Sequence, residues 1–150
     1  MSAVLWAGFA ATVLTACWYA LVRTLGWTSY SPLAQLGCIA LRQVRGAISE
    51  TVGTVLFLVL GSTLVAAIYA ALLGSMGEVS WASGAVLGVI HGVLFVAALP
   101  LVGTIDACVR DGLLPPPQRW GLGWGWPTPA VVVLGHALYG AVLGAVLAAF

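Results

Sequence analysis

Apolar positions run through this chain in four long blocks, separated by short polar, glycine-rich or proline-bearing stretches. A helix that crosses a bilayer needs about 20 mostly apolar residues. Four segments satisfy that length: about Ala3 to Val22, about Thr51 to Leu73, about Val79 to Ile105 and about Trp124 to Phe150. Their limits are set by Arg23, by Glu50 and Gly74-Ser75-Met76-Gly77, and by Asp106. Pro100 is expected to kink the end of the third span, while Pro127 and Pro129 suit the first turn of the fourth.

The connections differ in kind. After Ser31-Pro32, residues Leu33, Leu36, Ala40 and Val44 recur at helical spacing, with Gln35, Arg42, Gln43 and Arg45 mostly elsewhere on the wheel. That pattern predicts an amphipathic helix in the membrane interface, or an inward extension of the second span. The second connection is a tight turn near Glu78. The third contains the stiff run Pro115-Pro116-Pro117, followed by Gly121-Leu122-Gly123-Trp124-Gly125-Trp126, read as a flexible entry to the last helix. The predicted fold is all-α: an integral membrane, antiparallel four-helix bundle with an interfacial helix between spans one and two.

Composition supports a membrane setting. The 150 residues are 62% hydrophobic and 6% charged, against about 25% charged in ordinary soluble domains. The length suits a single domain. A net charge of +1 without a basic patch argues against nucleic-acid binding. All five basic residues are arginine: Arg23, Arg42 and Arg45 in the first connection, Arg110 and Arg119 in the third. The positive-inside rule then places both connections in the cytoplasm and both termini in the periplasm. Trp27, Trp120, Trp124 and Trp126 would form the inner aromatic belt, with Trp6 and Trp81 in the outer one. The absence of lysine and asparagine, with abundant Ala, Gly, Val and Leu, suggests a GC-rich bacterial genome and an inner-membrane location.

Cys17, Cys38 and Cys108 are odd in number and lack C-x-x-C spacing, so neither a disulfide framework nor a zinc site is expected. Leu14-Thr15-Ala16-Cys17 resembles a lipoprotein cleavage box. No basic residue precedes the apolar run, so the segment is expected to remain as a first span.

Two histidines lie inside the predicted spans, where an ionisable side chain is costly and marks a functional-site hypothesis. Both lie beside glycines. Gly84-Ala85-Val86-Leu87-Gly88 in span three recurs as Gly140-Ala141-Val142-Leu143-Gly144 in span four. Gly84, Gly88 and Gly92 form a ladder with His91 beside it; His136, Gly140 and Gly144 form a second. Small residues four apart allow close helix approach. If the ladders face each other, Gly84 pairs with Gly144, Gly88 with Gly140 and Gly92 with His136. Both histidines then lie at one depth near mid-membrane.

Three roles for the histidines follow. They can be neutral hydrogen-bonding groups that tie helices together, with Thr12, Thr15, Ser62 or Tyr139 as partners. Either can be an axial ligand to a haem or chlorophyll, although facing ladders would leave no slot for a ring between spans three and four. They can also relay protons or ions, with Asp106 and Glu50 at the inner end. No catalytic constellation, metal cluster or phosphate loop is present in the sequence, so an enzyme is not expected.

His91-Gly92, the run Gly135-His136-Ala137-Leu138-Tyr139-Gly140 and Gly8-Phe9-Ala10-Ala11-Thr12 resemble a pattern in uncharacterised families of small bacterial four-span membrane proteins. The resemblance implies a four-helix membrane bundle and supplies no activity. With almost no extramembrane domain, the chain is expected to be an accessory or structural subunit beside a larger, bioenergetic membrane complex. Its expected partners are the lipid bilayer and other membrane subunits. The alternatives are a tetrapyrrole binder and a small proton, ion or solute transporter.

Overall fold

A computed structural model describes residues 2–43 and 46–150. The described residues are all-helical, with no strand. In chain order the helices are α1 (Ser2–Thr24), α2 (Pro32–Leu41), α3 (Ala47–Ser75), α4 (Trp81–Ile105), the single turn α5 (Ala107–Arg110) and α6 (Thr128–Leu147). A 3-10 turn, Arg119–Trp124, precedes α6. Four helices, α1, α3, α4 and α6, are long and apolar enough to cross a membrane.

Local chemistry sets the helix ends. Ser80 and Ser83 form a reciprocal capping box, so α4 starts at Trp81, slightly later than hydropathy predicts. It then runs through Pro100 to Ile105. Pro127 and Pro129 flank the start of α6, as expected. That start falls four residues after Trp124, because Gly121 (φ 80°) and Gly125 (φ 119°) take backbone conformations that suit glycine and break the helix there. Trp124 is consequently buried rather than part of a lipid-facing belt. It stacks on Tyr30 at 4.7 Å between ring centroids and donates its indole N–H to the Pro115 carbonyl at 2.9 Å.

The seam between α4 and α6 is built backbone to backbone. A Cβ on Gly84 would overlap the Gly140 carbonyl and lie 3.3 Å from the Gly144 Cα. One on Gly88 would overlap the His136 carbonyl, and one on Gly92 would lie 2.8 Å from the Val133 Cα and 3.1 Å from the His136 Cβ. The ladders therefore face each other, with Gly84 nested between Gly140 and Gly144. Other glycines join the remaining helices: Gly8 of α1 meets Ser62 and Ala66 of α3, Gly37 of α2 meets Ser49, and Gly53 meets Leu33. Tyr19, Val22, Val96, Leu99 and Val132 form one buried apolar cluster; Ala7, Ala66, Leu73 and Leu143 belong to the other.

α2 differs from its predicted face. Ser31 caps it by accepting from the Ala34 N–H at 3.2 Å. Gln35 points inward, while Ile39 and Leu41 are exposed. The reason is a polar partner across the fold: the Gln35 side-chain amide donates to Asp106 Oδ2 at 3.0 Å. Asp106 Oδ1 accepts from the Cys108 N–H at 2.8 Å and caps α5. Val44 and Arg45, also assigned to the predicted interfacial helix, lie outside the described residues.

The expectation of three unpaired thiols is overturned. Cys38 of α2 and Cys108 of α5 form a disulfide, with a Cα separation of 6.3 Å and a sequence separation of 70. The Gln35–Asp106 contact brings α2 to the end of α4, a long-range approach that cysteine spacing cannot reveal. Only Cys17 remains a free thiol among the described residues, and it is exposed. On the same side of the fold, Arg42 and Asp111 form an exposed ion pair.

Candidate functional site

His91 falls near the middle of α4 and His136 near the middle of α6. The packed glycine seam brings their rings edge to face, 4.6 Å between centroids and 77° between planes. Phe95 lies against His136 at 5.3 Å. Each histidine has one nitrogen fixed by the protein. His136 Nδ1 is 2.8 Å from the Val132 carbonyl, which can only accept, so Nδ1 carries the proton. His91 Nδ1 is 2.9 Å from the Tyr69 hydroxyl. Tyr69 is buried and has no other partner for that hydroxyl among the described residues. Leaving its proton unshared would cost about 1–3 kcal/mol, so Tyr69 donates to His91 Nδ1. In the neutral rings, His91 therefore holds its proton on Nε2, whereas His136 holds a lone pair there.

Tyr139 is placed differently from the sequence expectation. Its hydroxyl donates to the Gly61 carbonyl at 2.7 Å, not to a histidine. Gly61 opens a π-helical turn, Gly61–Val65, in the middle of α3, and its carbonyl also accepts from the Ala66 N–H. Such turns recur at functional sites. Thr12, Thr15 and Ser62 bond carbonyls of their own helices rather than a histidine. Sequence reasoning missed Tyr69 as the histidine partner. The available signal was a mid-span tyrosine whose hydroxyl must find an acceptor in hydrocarbon.

Neither histidine Nε2 has a hydrogen-bond partner, and no buried side-chain nitrogen or oxygen is left unpaired among the described residues. Both rings instead line a cavity of about 290 Å³. Thr15 and Tyr19 of α1, Phe57 and Leu60 of α3, Phe95 of α4 and Gly135 of α6 contribute to its walls. Tyr30 and Gln35 also line it, and among the described residues no Asp, Glu, Lys or Arg does. Over Ala47–Val65, no Cα of α3 comes within 8 Å of a Cα of α4; the two helices approach only beyond Ala66. The cavity therefore lies beside a gap between two membrane-length helices. Tyr30 and Gln35 also border a polar cleft carrying Arg23 and Glu50.

The arrangement does not fit a macrocycle between α4 and α6, because the glycine seam closes that space. Among the described residues, no group of three His, Cys, Asp or Glu side chains could hold a metal ion. The chemistry on offer is neutral: one imidazole N–H, one imidazole lone pair and an apolar chamber.

Tyr69→Phe tests the proton assignment. Histidine ¹⁵N spectra of the native protein should show one Nε2–H ring and one Nδ1–H ring. Tyr69→Phe should abolish the single-tautomer signature of His91, leave that of His136, and cost about 1 kcal/mol of stability. Identical tautomers in the native protein would contradict the assignment.

Tyr30, outside the long helices, responds to pH by a separate route. Burial pushes its hydroxyl well above the ordinary tyrosine range. The unfolded chain releases this proton near pH 10, about the ordinary tyrosine value, and the folded chain only higher. The raised folded value means that this contribution is present below about pH 10 and is lost as pH rises further. Alkaline unfolding should therefore show a steeper stability loss above about pH 10 in the native protein than in Tyr30→Phe. Equal slopes would contradict it.

The fold and site define a class: an all-helical protein with four membrane-length helices around a neutral, histidine-bearing chamber. No protein-family model, curated protein or solved structure matches this chain.

Proposed function

We propose that this chain is a bacterial inner-membrane protein that holds a lipid-soluble molecule in its interior. The supporting observation is the cavity at His91 and His136, whose described lining carries no charged side chain, set beside the gap between Ala47–Val65 of α3 and α4. In an antiparallel bundle crossing the bilayer, that gap faces acyl chains, so an apolar ligand enters sideways without crossing water. Ligand sites of this type are apolar chambers with a few fixed polar groups.

Arginine placement favours a cytoplasmic polar cleft with both termini in the periplasm. The Cys38–Cys108 disulfide pulls the other way, since cytosolic thiols are generally kept reduced. Both sulfurs are fully buried, which blocks direct attack by a thiol reductant. A periplasmic reporter at the C-terminus should be active and a cytoplasmic one silent. The opposite result overturns this orientation and places the disulfide in an oxidising compartment.

Extraction into lipid nanodiscs followed by mass spectrometry tests the ligand reading. An apolar small molecule should accompany the native chain near one per protein and be lost in Leu60→Trp, which fills the chamber from a partly exposed position. Native protein without any such molecule, and unable to take one up, would contradict it.

A second reading keeps the accessory-subunit expectation. Only 11% of the most apolar stretch of α3 is buried, against 39% for α6. α3 thus presents nearly a whole helix face to lipid or to another membrane subunit. Mild extraction should then recover a larger assembly, and a chain stable and alone under the same conditions would count against it.

A further inference from the structure

The two histidines offer opposite halves of a hydrogen-bonding pair on adjoining rings. His91 presents Nε2–H because Tyr69 donates to its Nδ1, and His136 presents an Nε2 lone pair because its Nδ1 donates to Val132. The rings touch, 4.6 Å between centroids, yet make no hydrogen bond to each other. Both line the same chamber. A group that satisfies both nitrogens must accept from one and donate to the other.

Resting on the reading that the cavity holds a lipid-soluble molecule, we propose that His91 and His136 together recognise one neutral hydroxyl oxygen, and that the ligand is a hydroxyl-bearing lipophile. Its oxygen accepts from His91 Nε2–H and donates its proton to the lone pair of His136. The apolar remainder fills the chamber between Thr15, Phe57, Leu60 and Phe95 and leaves through the gap between α3 and α4.

The surroundings narrow the class. Among the described residues no charged side chain lines the chamber, so a carboxylate or phosphate headgroup would be buried there without a counter-charge, at high cost. A ketone or quinone carbonyl can accept from His91, but it sets its own lone pairs against that of His136. An ether has the same defect. An alcohol or phenol has neither. Two lipid sources supply that chemistry: a quinol and an isoprenoid alcohol.

The test uses the full chain in phosphatidylcholine nanodiscs with ¹⁵N-labelled histidine. Four probes are titrated: a decyl benzoquinol under reducing conditions, its dimethyl ether, the matching quinone, and a short isoprenoid alcohol. The quinol or the alcohol should shift the Nε2 resonances of both histidines. The ether and the quinone should bind about 10-fold more weakly or worse, the loss of one hydrogen bond to a group then left unpaired. Whichever hydroxyl probe binds more tightly identifies the source. His136→Phe, which removes the lone pair that an ether cannot use, should weaken the hydroxyl probe while leaving the ether unchanged, and Tyr69→Phe, which keeps both rings, should weaken the hydroxyl probe in the same direction. Ether binding equal to quinol binding overturns the headgroup assignment and leaves the chamber reading intact. Failure of every probe to bind, with the histidine resonances reporting water only, overturns both.

Discussion

Gly140→Val should be the most damaging single substitution in the helix seams. A side chain there would enter the Gly84 carbonyl and crowd the Gly88 amide nitrogen at 3.2 Å, so the obstruction is backbone on both sides. No rotamer change relieves it; α4 and α6 must separate. Overpacking a tight core costs about 1–3 kcal/mol, sometimes more. This site should reach or exceed the upper figure, because Gly84, Gly88 and Gly144 lose their close approach together. The histidine pair should be lost as well, since the same seam sets its 4.6 Å separation. Denaturant unfolding in mixed micelles measures the first effect and histidine ¹⁵N spectra the second. Gly74→Ala is the control: a Cβ there meets nothing within 4 Å, so stability should hold or rise slightly. Equal stability of Gly140→Val and the native chain would mean that the seam is not what holds α4 to α6.

Replacing both Cys38 and Cys108 with serine should have the next largest effect. The disulfide closes a loop of 70 residues in sequence separation. In the chain-entropy picture a crosslink of that span contributes about 4 kcal/mol. That is an upper figure here, because spans that stay inserted already restrict the unfolded chain. The loss should be local as well as global. α2 would stay tied to the end of α4 through Gln35 and Asp106, and Pro32, Gln35 and Leu36 of α2 form one wall of the chamber. Hydrogen exchange across Pro32–Leu41 should accelerate more than in α4 or α6. Unchanged stability and exchange in the double variant would remove the disulfide from the account of the fold.

What could be read from the sequence followed the range of the interactions. Membrane-length helices announce themselves locally, by length and hydropathy, so all four were legible to within a few residues. That the two glycine ladders face each other was legible too, because the same spacing recurs on two helices, but the pairing is offset: Gly84 nests between Gly140 and Gly144, Gly88 meets the His136 carbonyl and Gly92 meets Val133 as well as His136. The start of α6 was misplaced, since hydropathy ignores the backbone conformations that Gly121 and Gly125 adopt. Gln35 was assigned to the wrong face because its partner, Asp106, lies 71 residues away, and the same distant contact hid the cysteine pairing. Tyr139 looked like the partner of His136 on a helical wheel. In the fold its hydroxyl instead donates to the Gly61 carbonyl at the π-helical turn of α3, His136 bonds the Val132 carbonyl, and Tyr69 takes His91. The cavity itself had no sequence signature: it arises where α3 and α4 fail to meet.

The central claim is that a lipid-soluble molecule occupies the chamber and reaches it through that gap. Photo-crosslinking with a diazirine-tagged lipophilic alcohol in nanodiscs, followed by peptide mapping, tests it most directly. Adducts should concentrate on Phe57, Leu60 and Phe95, the residues on either side of the gap, and should fall sharply with untagged alcohol as competitor or in Leu60→Trp. Adducts spread over exposed positions away from the gap such as Leu5, Val86 and Leu134, with no competition, would contradict it.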